Sequence, residues 1–210
     1  MIKAFGSFRK VGKHIFRTEA RIQWGDSEEQ FGMIIMLNPG ASKLLDSAKW
    51  AYLESQLDGE ATGELVFDDT MKLLVKILES SFGDLEGSLV IKNLFNLREP
   101  KSKIATGIYK NLISDQIFSE VIYDKFDDLE KYPWIWLGWG VEDKAILNKR
   151  KREVKDKIPL GKLQFGVYPE KNSLDKIHIY HPYPKLKSHR EQYLKSIVNQ
   201  FIVASEQRVF

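Results

Sequence analysis

Four short apolar runs, each stopped by a polar or turn-forming residue, constrain the fold of this chain more than any other feature. They lie at residues 31–38, 88–100, 134–140 and 176–184. Segments with the apolar spacing of helices separate them. Short buried strands that alternate with helices favour a parallel sheet covered on both faces. The sequence therefore predicts an α/β fold, a three-layer α/β/α domain around a central four-stranded parallel sheet.

The segments around these runs predict the remaining elements. They comprise an edge strand or hairpin arm at 14–24 and helices after Asp68, within 107–131, at 144–157 and after the capping pair Ser188 and Glu191. A chain of 210 residues is long enough for one large core and short for two. We therefore expect a single domain spanning residues 1–210.

Composition excludes several classes of protein. A hydrophobic fraction of 43% with five Trp is typical of a folded chain. The absence of Cys excludes disulfide frameworks, cysteine nucleophiles, and zinc or iron-sulfur sites with cysteine ligands. The sequence has no long apolar run, which argues against secretion and membrane association. We expect a cytoplasmic monomer with no cofactor, no bound metal and no iron-sulfur cluster.

A concentration of positive charge lies in residues 144–157, which hold seven Lys or Arg against two acidic residues. Charge runs of this kind are usually the solvated face of a helix. The same run would also suit a surface that contacts nucleic-acid phosphates. The sequence leaves both interpretations open.

The residues best suited to bind a ligand or take part in a reaction lie at the ends of the four predicted strands. These are Asn38-Pro39-Gly40, Asn93, Gly140 and His181-Pro182. Because parallel sheets bind ligands beyond the carboxyl ends of their strands, these residues are expected to meet at one edge. The sequence therefore predicts a ligand site there.

In order and spacing, the segments MLNPG, LVIKNLFNLREP, WIWLGWG and HPYPKL resemble the motifs of the uracil-DNA glycosylase superfamily. The resemblance covers residues 31–201 and is closest in style to the mismatch-specific branch with Asn-Pro-Gly. It implies a uracil-DNA glycosylase-like fold and a hydrolase that takes part in DNA repair. Such an enzyme flips a damaged or 5-modified pyrimidine out of DNA and hydrolyses its N-glycosidic bond. One subclass serves phage defence by excising bulky modified cytosines.

The resemblance implies two catalytic residues. Asn38 would orient the attacking water, at a position where uracil-specific relatives have aspartate. His181 would stabilise the negative charge on the departing base. An amide is a poor general base, so most of the acceleration would come from positioning and electrostatics. Taken alone, Asn38 is equally well explained as a cap on the turn before Pro39.

The base-binding residues implied by the resemblance are Pro39, Gly40, Trp50 and Asn93. Asn93 would contact the edge of the flipped base through its amide, and Trp50 would stack on the base. Trp50 is alternatively a core residue, with Tyr52 as a nearby rival. Uracil-specific relatives have a tyrosine where Gly40 stands, so Gly40 would admit a 5-substituted base. Its alternative role is a turn with positive φ.

The DNA-binding residues implied by the resemblance follow His181 directly. They are Tyr183, Lys185, Leu186, Lys187 and Arg190. Family members carry a phosphate-contacting serine and a wedging leucine in this loop, whereas this chain has Tyr183 and Lys185 there and Leu186 one position later. A basic segment leading into a helix suits phosphate binding.

Two other functions are compatible with the same residues. A catalytically weak protein could bind nucleic acid or a nucleobase without turnover. A nucleoside or nucleotide N-glycosidase could use the pocket on small substrates, with little dependence on salt.

Overall fold

The computed structural model describes residues 1–169, 176–184 and 187–206. The strands within these ranges are β1 (Ile2–Val11), β2 (His14–Trp24), β3 (Gln30–Met36), β4 (Asp58–Glu64), β5 (Gly87–Asn93), β6 (Trp134–Gly138) and β7 (Leu163–Phe165). The α-helices are α1 (Ser47–Ser55), α2 (Asp69–Phe82), α3 (Ser102–Leu112), α4 (Ala145–Asp156) and α5 (Lys187–Glu206). Of these helices, none is long and apolar enough to cross a membrane.

The seven described strands form one mixed sheet in the order β4-β1-β2-β5-β3-β6-β7. β1 pairs antiparallel with β2 and β4, and β2 pairs antiparallel with β5. β5, β3, β6 and β7 run parallel. The predicted α/β class is confirmed, but the predicted four-stranded parallel sheet is wrong. The hairpin and β4 extend the parallel strands with an antiparallel half.

The fourth predicted strand, residues 176–184, does not form a strand of the sheet. The fourth parallel strand is β7, which pairs with β6. Within 176–184, Ile179 makes an isolated antiparallel bridge with Gly140. Two prolines in the segment, Pro182 and Pro184, lack the N–H that a ladder requires, which limits its pairing.

Most other predicted elements are confirmed, with shifted ends. The run at 14–24 is β2, one arm of a hairpin, and Asp68 caps α2 by accepting a hydrogen bond from the Met71 N–H at 2.8 Å. The helix expected within 107–131 ends at Leu112, and only short 3₁₀ turns follow. α5 already begins at Lys187, so Ser188 lies inside its first turn rather than at the cap.

Helices cover both faces of the parallel strands. Along β3, Ile34 and Met36 belong to a core shared with α1, α2 and α5. Met33 and Ile35 belong to a second core, shared with α3 and α4. β3 is thus buried on both faces, as its continuous apolar run predicts.

Candidate functional site

The register of the sheet aligns the carboxyl ends of three parallel strands. Met36 on β3 lies opposite Asn93 on β5 and opposite Gly138 on β6. Since neighbouring strands are about 4.8 Å apart, Asn93 and Gly138 lie roughly 10 Å apart across β3. The Leu94 N–H continues the pairing by donating to the Met36 carbonyl at 2.8 Å. The predicted site residues extend from this row.

Asn38 lies two residues beyond Met36 and is held by its own amide. Its Nδ2 donates to the carbonyl oxygens of Leu97 at 3.3 Å and Glu99 at 2.8 Å. An amide nitrogen has two N–H groups, so both are used. Within the described residues, Oδ1 accepts no hydrogen bond. Asn38 therefore anchors the turn and still has an acceptor available for a water molecule.

The turn after Asn38 has room on one side. Pro39 is buried, and its carbonyl accepts a hydrogen bond from the Ser42 N–H at 3.4 Å. Gly40 has φ of 64°, in the left-handed region that favours glycine. A Cβ atom built there would have no heavy atom within 4 Å. Both interpretations of Gly40, an open wall and a positive φ, therefore have a structural basis.

Trp50 is packed as a core residue. Its side chain on α1 is 7% exposed and contacts the Phe8 ring edge-on at 5.0 Å between centroids. The Arg98 guanidinium covers the indole at 4.9 Å. Because Phe8 and Arg98 both pack against the indole, the core alternative is favoured. Its rival Tyr52 is 67% exposed.

Asn93 is held at the buried end of β5. It is 1% exposed, and its backbone N–H donates to Oδ2 of Asp124 at 2.6 Å. Its side-chain Oδ1 faces Arg17 Nη2 at 3.5 Å, the long limit of a hydrogen bond. Burial raises the pKa of Asp124 to about 6, although Lys92 at 3.4 Å opposes this. The residue predicted to contact the base is thus fixed by two charged neighbours.

His181 has a defined protonation state. Its Nδ1 accepts a hydrogen bond from the Tyr183 N–H at 3.1 Å, and burial lowers its pKa to about 4. The imidazole is therefore neutral at pH 7, with its proton on Nε2. The loop that carries it packs on β6, where a Cβ atom on Gly138 would lie 2.8 Å from Cδ of Pro182. His181 thus presents an Nε2–H donor near the strand-end row.

Arg17 is the site residue that the sequence analysis missed. It is 2% exposed and pairs with Phe8, which belongs to the same core as Ile22. Ser7 of β1 pairs with Glu19 and Phe8 pairs with Arg17, so Thr18 is the extra residue of a bulge that inverts the alternation of β2. Simple alternation puts Arg17 on the other face, with Arg21. The only feature of the sequence that could have indicated a buried role for Arg17 was a charged residue inside a predicted strand.

The predicted DNA-binding residues are only partly described. The Tyr183 ring lies 3.9 Å from the Arg190 guanidinium, and Arg190 Nε donates to the Pro184 carbonyl at 2.7 Å. Arg190 is thus engaged by its own loop. Lys185 and Leu186 lie outside the described residues, as does the side chain of Lys187.

The basic run of α4 is divided between the interior and the surface. Arg150 donates to the carbonyl oxygens of Leu94 at 3.0 Å and Asp124 at 3.2 Å. Lys151 is fully buried and donates to the carbonyls of Gly140 at 3.2 Å and Glu142 at 2.8 Å. Burial lowers the pKa of Lys151 to about 8. These two residues support the strand-end loops, and neither is a free phosphate ligand.

No family model, curated protein or solved structure matches the chain. Its function is therefore inferred from the motifs and from the geometry of the site.

Proposed function

We propose that this protein is a DNA glycosylase of the uracil-DNA glycosylase type. It would bind a damaged or 5-modified pyrimidine outside the duplex and hydrolyse the bond between the base and the sugar. The observation that carries the proposal is the state of His181. A neutral imidazole with Nδ1 occupied offers Nε2–H to an oxygen that becomes negative.

The two catalytic residues would share the reaction. Water attacks the sugar C1′, a C–O bond forms, and the C–N bond to the base breaks. The base leaves with the electron pair, so charge builds on its carbonyl oxygen, where the Nε2–H of His181 donates. Asn38 Oδ1 accepts a hydrogen bond from the attacking water and directs its lone pair. The attacking water loses one proton to solvent as the hydroxyl on C1′ forms, and the released base takes one proton from solvent.

The fold supports this assignment in a general way. Asn93 is the last residue of β5, and Asn38 and Gly140 follow β3 and β6, at the edge where parallel strands bind ligands. Gly40 adds open space on one side of the turn. The substrate class would therefore extend to pyrimidines with a group on carbon 5, including those of modified phage DNA.

Base release from defined DNA tests the proposal. Single- and double-stranded oligonucleotides with uracil or 5-modified pyrimidines are incubated with the protein, and released bases are identified by mass spectrometry. We expect release from at least one substrate, with His181→Ala and Asn38→Ala each lowering turnover at least about a hundredfold while DNA binding persists. The exposed Lys149→Ala is the matched control. Absence of release from every substrate, or unchanged turnover in both variants, would contradict the proposal.

A nucleoside or nucleotide N-glycosidase is the second candidate. It is favoured by one observation, that Arg150, Lys151 and Arg190 are engaged within the protein. Release from free deoxynucleosides at the same rate as from oligonucleotides, with little salt dependence, would support it. Retention of DNA without an abasic product would indicate the binding-only function.

A further inference from the structure

Arg17 has a hydrogen-bonding environment that the reaction above does not use. Its guanidinium is almost fully buried, and its Nε has no hydrogen-bond partner among the described residues. The one hydrogen bond that the guanidinium makes within those residues goes from Nη2 to Oδ1 of Asn93 at 3.5 Å. Burial lowers the pKa of Arg17 to about 10, while Asp68 and Asp124 oppose the shift. The side chain is therefore still a cation at neutral pH.

The chemistry of this contact fixes one orientation of the Asn93 amide. A guanidinium has five N–H donors and no acceptor, so the atom that faces it must be the amide oxygen. Turning the amide over would set the Nδ2 hydrogens of Asn93 against the donors of Arg17 inside the protein. A buried donor without an acceptor is costly, so the turned amide is disfavoured. The backbone of Asn93 is itself held by Asp124.

We propose that Arg17 is a specificity-determining residue, which orients the Asn93 amide so that the site accepts 4-oxo pyrimidines over 4-amino pyrimidines. The inference rests on the proposed function, in which Asn93 contacts the flipped base. Arg17 acts through Asn93 and is a positioning residue.

The hydrogen-bonding edges of the bases give the direction of the preference. Uracil and thymine present an acceptor at O4 and a donor at N3–H, whereas cytosine presents an N4–H₂ donor and an N3 acceptor. With Oδ1 directed at Arg17, Nδ2 can donate to O4, and the second lone pair of Oδ1 can accept from N3–H. A cytosine would require the reversed amide. The guanidinium opposes this reversal.

Matched bases and matched variants test the inference. Thymine and 5-methylcytosine carry the same 5-methyl group, so kcat/KM for the two in one DNA sequence isolates the 4-position. We expect the wild type to favour thymine at least about tenfold. Arg17→Gln, whose amide both donates and accepts, should lower this ratio at least about tenfold. Arg17→Lys, which only donates, should preserve it.

Failure of the inference is distinguishable from failure of the proposed function. A purely structural Arg17 would change both rates together and leave the ratio fixed, which overturns the inference. A wild-type preference for 5-methylcytosine also overturns it and needs no variant. The corresponding ratio of binding affinities, for thymine against 5-methylcytosine, is measured with DNA that carries these bases on non-hydrolysable 2′-fluoro nucleotides. If the protein releases no base but prefers thymine in binding, and Arg17→Gln removes that preference, the proposed glycosylase activity is rejected and the role of Arg17 is supported. No release and no binding preference reject both.

Discussion

At the scale of single residues, the hydrogen bonds of the Asn38 amide determine which of its atoms is left to contact a ligand. Both of its N–H groups bind backbone carbonyls, those of Leu97 and Glu99, so only its oxygen can serve a ligand. A carboxylate at this position would set negative charge against two carbonyl oxygens. This local arrangement favours an asparagine over an aspartate at position 38.

Gly40 gives a prediction at the same scale. If its open side admits a 5-substituted base, Gly40→Tyr should abolish release of 5-modified pyrimidines and spare release of uracil, because the ring would fill that side. Base-release assays on paired substrates measure this change.

The positive φ of Gly40 requires controls for strain. Gly40→Ala should cost about 1 kcal/mol of stability without changing which base is released. Gly40→Asn tolerates the left-handed region better and separates strain from side-chain bulk. Equal loss on every substrate, together with a lower melting temperature, would identify Gly40 as a turn residue only.

Some features of the candidate site could be predicted from the sequence and others could not, for physical reasons. The buried position of Asn93 and its need for polar partners were predictable, because an amide that ends a buried strand needs partners. Arg17 was not, because its position depends on the bulge opposite β1, which one strand read alone does not reveal. Trp50 was ambiguous in sequence, and the packing of Phe8 and Arg98 around it favours the core.

At the scale of elements, the end of β6 sets the position of the His181 loop. Gly138 lets Pro182 pack against the strand, since a Cβ atom there would lie 2.8 Å from Cδ of the proline. The strand and the loop belong to different parts of the sequence. Their close approach therefore depends on the absence of a side chain at Gly138.

Gly138→Ala should move the loop and lower base release at least about tenfold, because misplacing a catalytic donor by a fraction of an ångström weakens it. Activity and melting temperature are measured together. Gly107→Ala, on the exposed side of α3 with nothing within 4 Å, is the control and should leave activity unchanged. Wild-type activity in Gly138→Ala would show that the loop tolerates the extra atom.

The basic helix α4 gives a prediction of stability. Arg150→Met removes the hydrogen bonds to Leu94 and Asp124, and we expect a loss of about 2 kcal/mol or more by chemical denaturation. Lys149→Met, at a side chain that is 81% exposed, should change stability by about 0.5 kcal/mol or less. If Arg150→Met instead weakened DNA binding at unchanged stability, Arg150 would be a phosphate ligand.

The strands themselves were more predictable from the sequence than the strands with which they pair. Continuous apolar runs identified β3, β5 and β6, because strands buried on both faces must be apolar along their length. The three-residue β7 carries too little sequence to stand out, whereas the apolar stretch in 176–184 does. Pairing between β2 and β5 joins distant parts of the chain, and nothing in either strand specifies the partner.

For the whole molecule, two buried groups make stability respond to pH in opposite directions. The pKa of Asp124 is raised from 3.8 to about 6, so its contribution is complete below about pH 4 and is lost as the pH rises through 6. The pKa of His181 is lowered from 6.5 to about 4, so its contribution is present above pH 6.5 and is lost as the pH falls through 4. Between pH 4 and 6 the two effects oppose each other.

A variant that removes either Asp124 or His181 should show how the remaining group alone makes stability depend on pH. Asp124→Asn should lose stability more steeply than the wild type on acidification from pH 6.5 to 4, by on the order of 2 kcal/mol. His181→Asn should show a shallower loss than the wild type, or a gain. Urea denaturation across this range measures both slopes. Parallel curves for all three proteins would contradict the assigned pKa shifts.

The order of strands in the sheet also has a consequence for biosynthesis. A ribosome makes β1 and β2 first, yet β5, which pairs with the open side of β2, is made only after β3, β4 and α2. Until then the nascent hairpin exposes an unpaired edge, a template for pairing with other nascent chains. Arg17 and Arg21 place two cations on that edge. Charged side chains on an exposed strand edge disfavour such pairing.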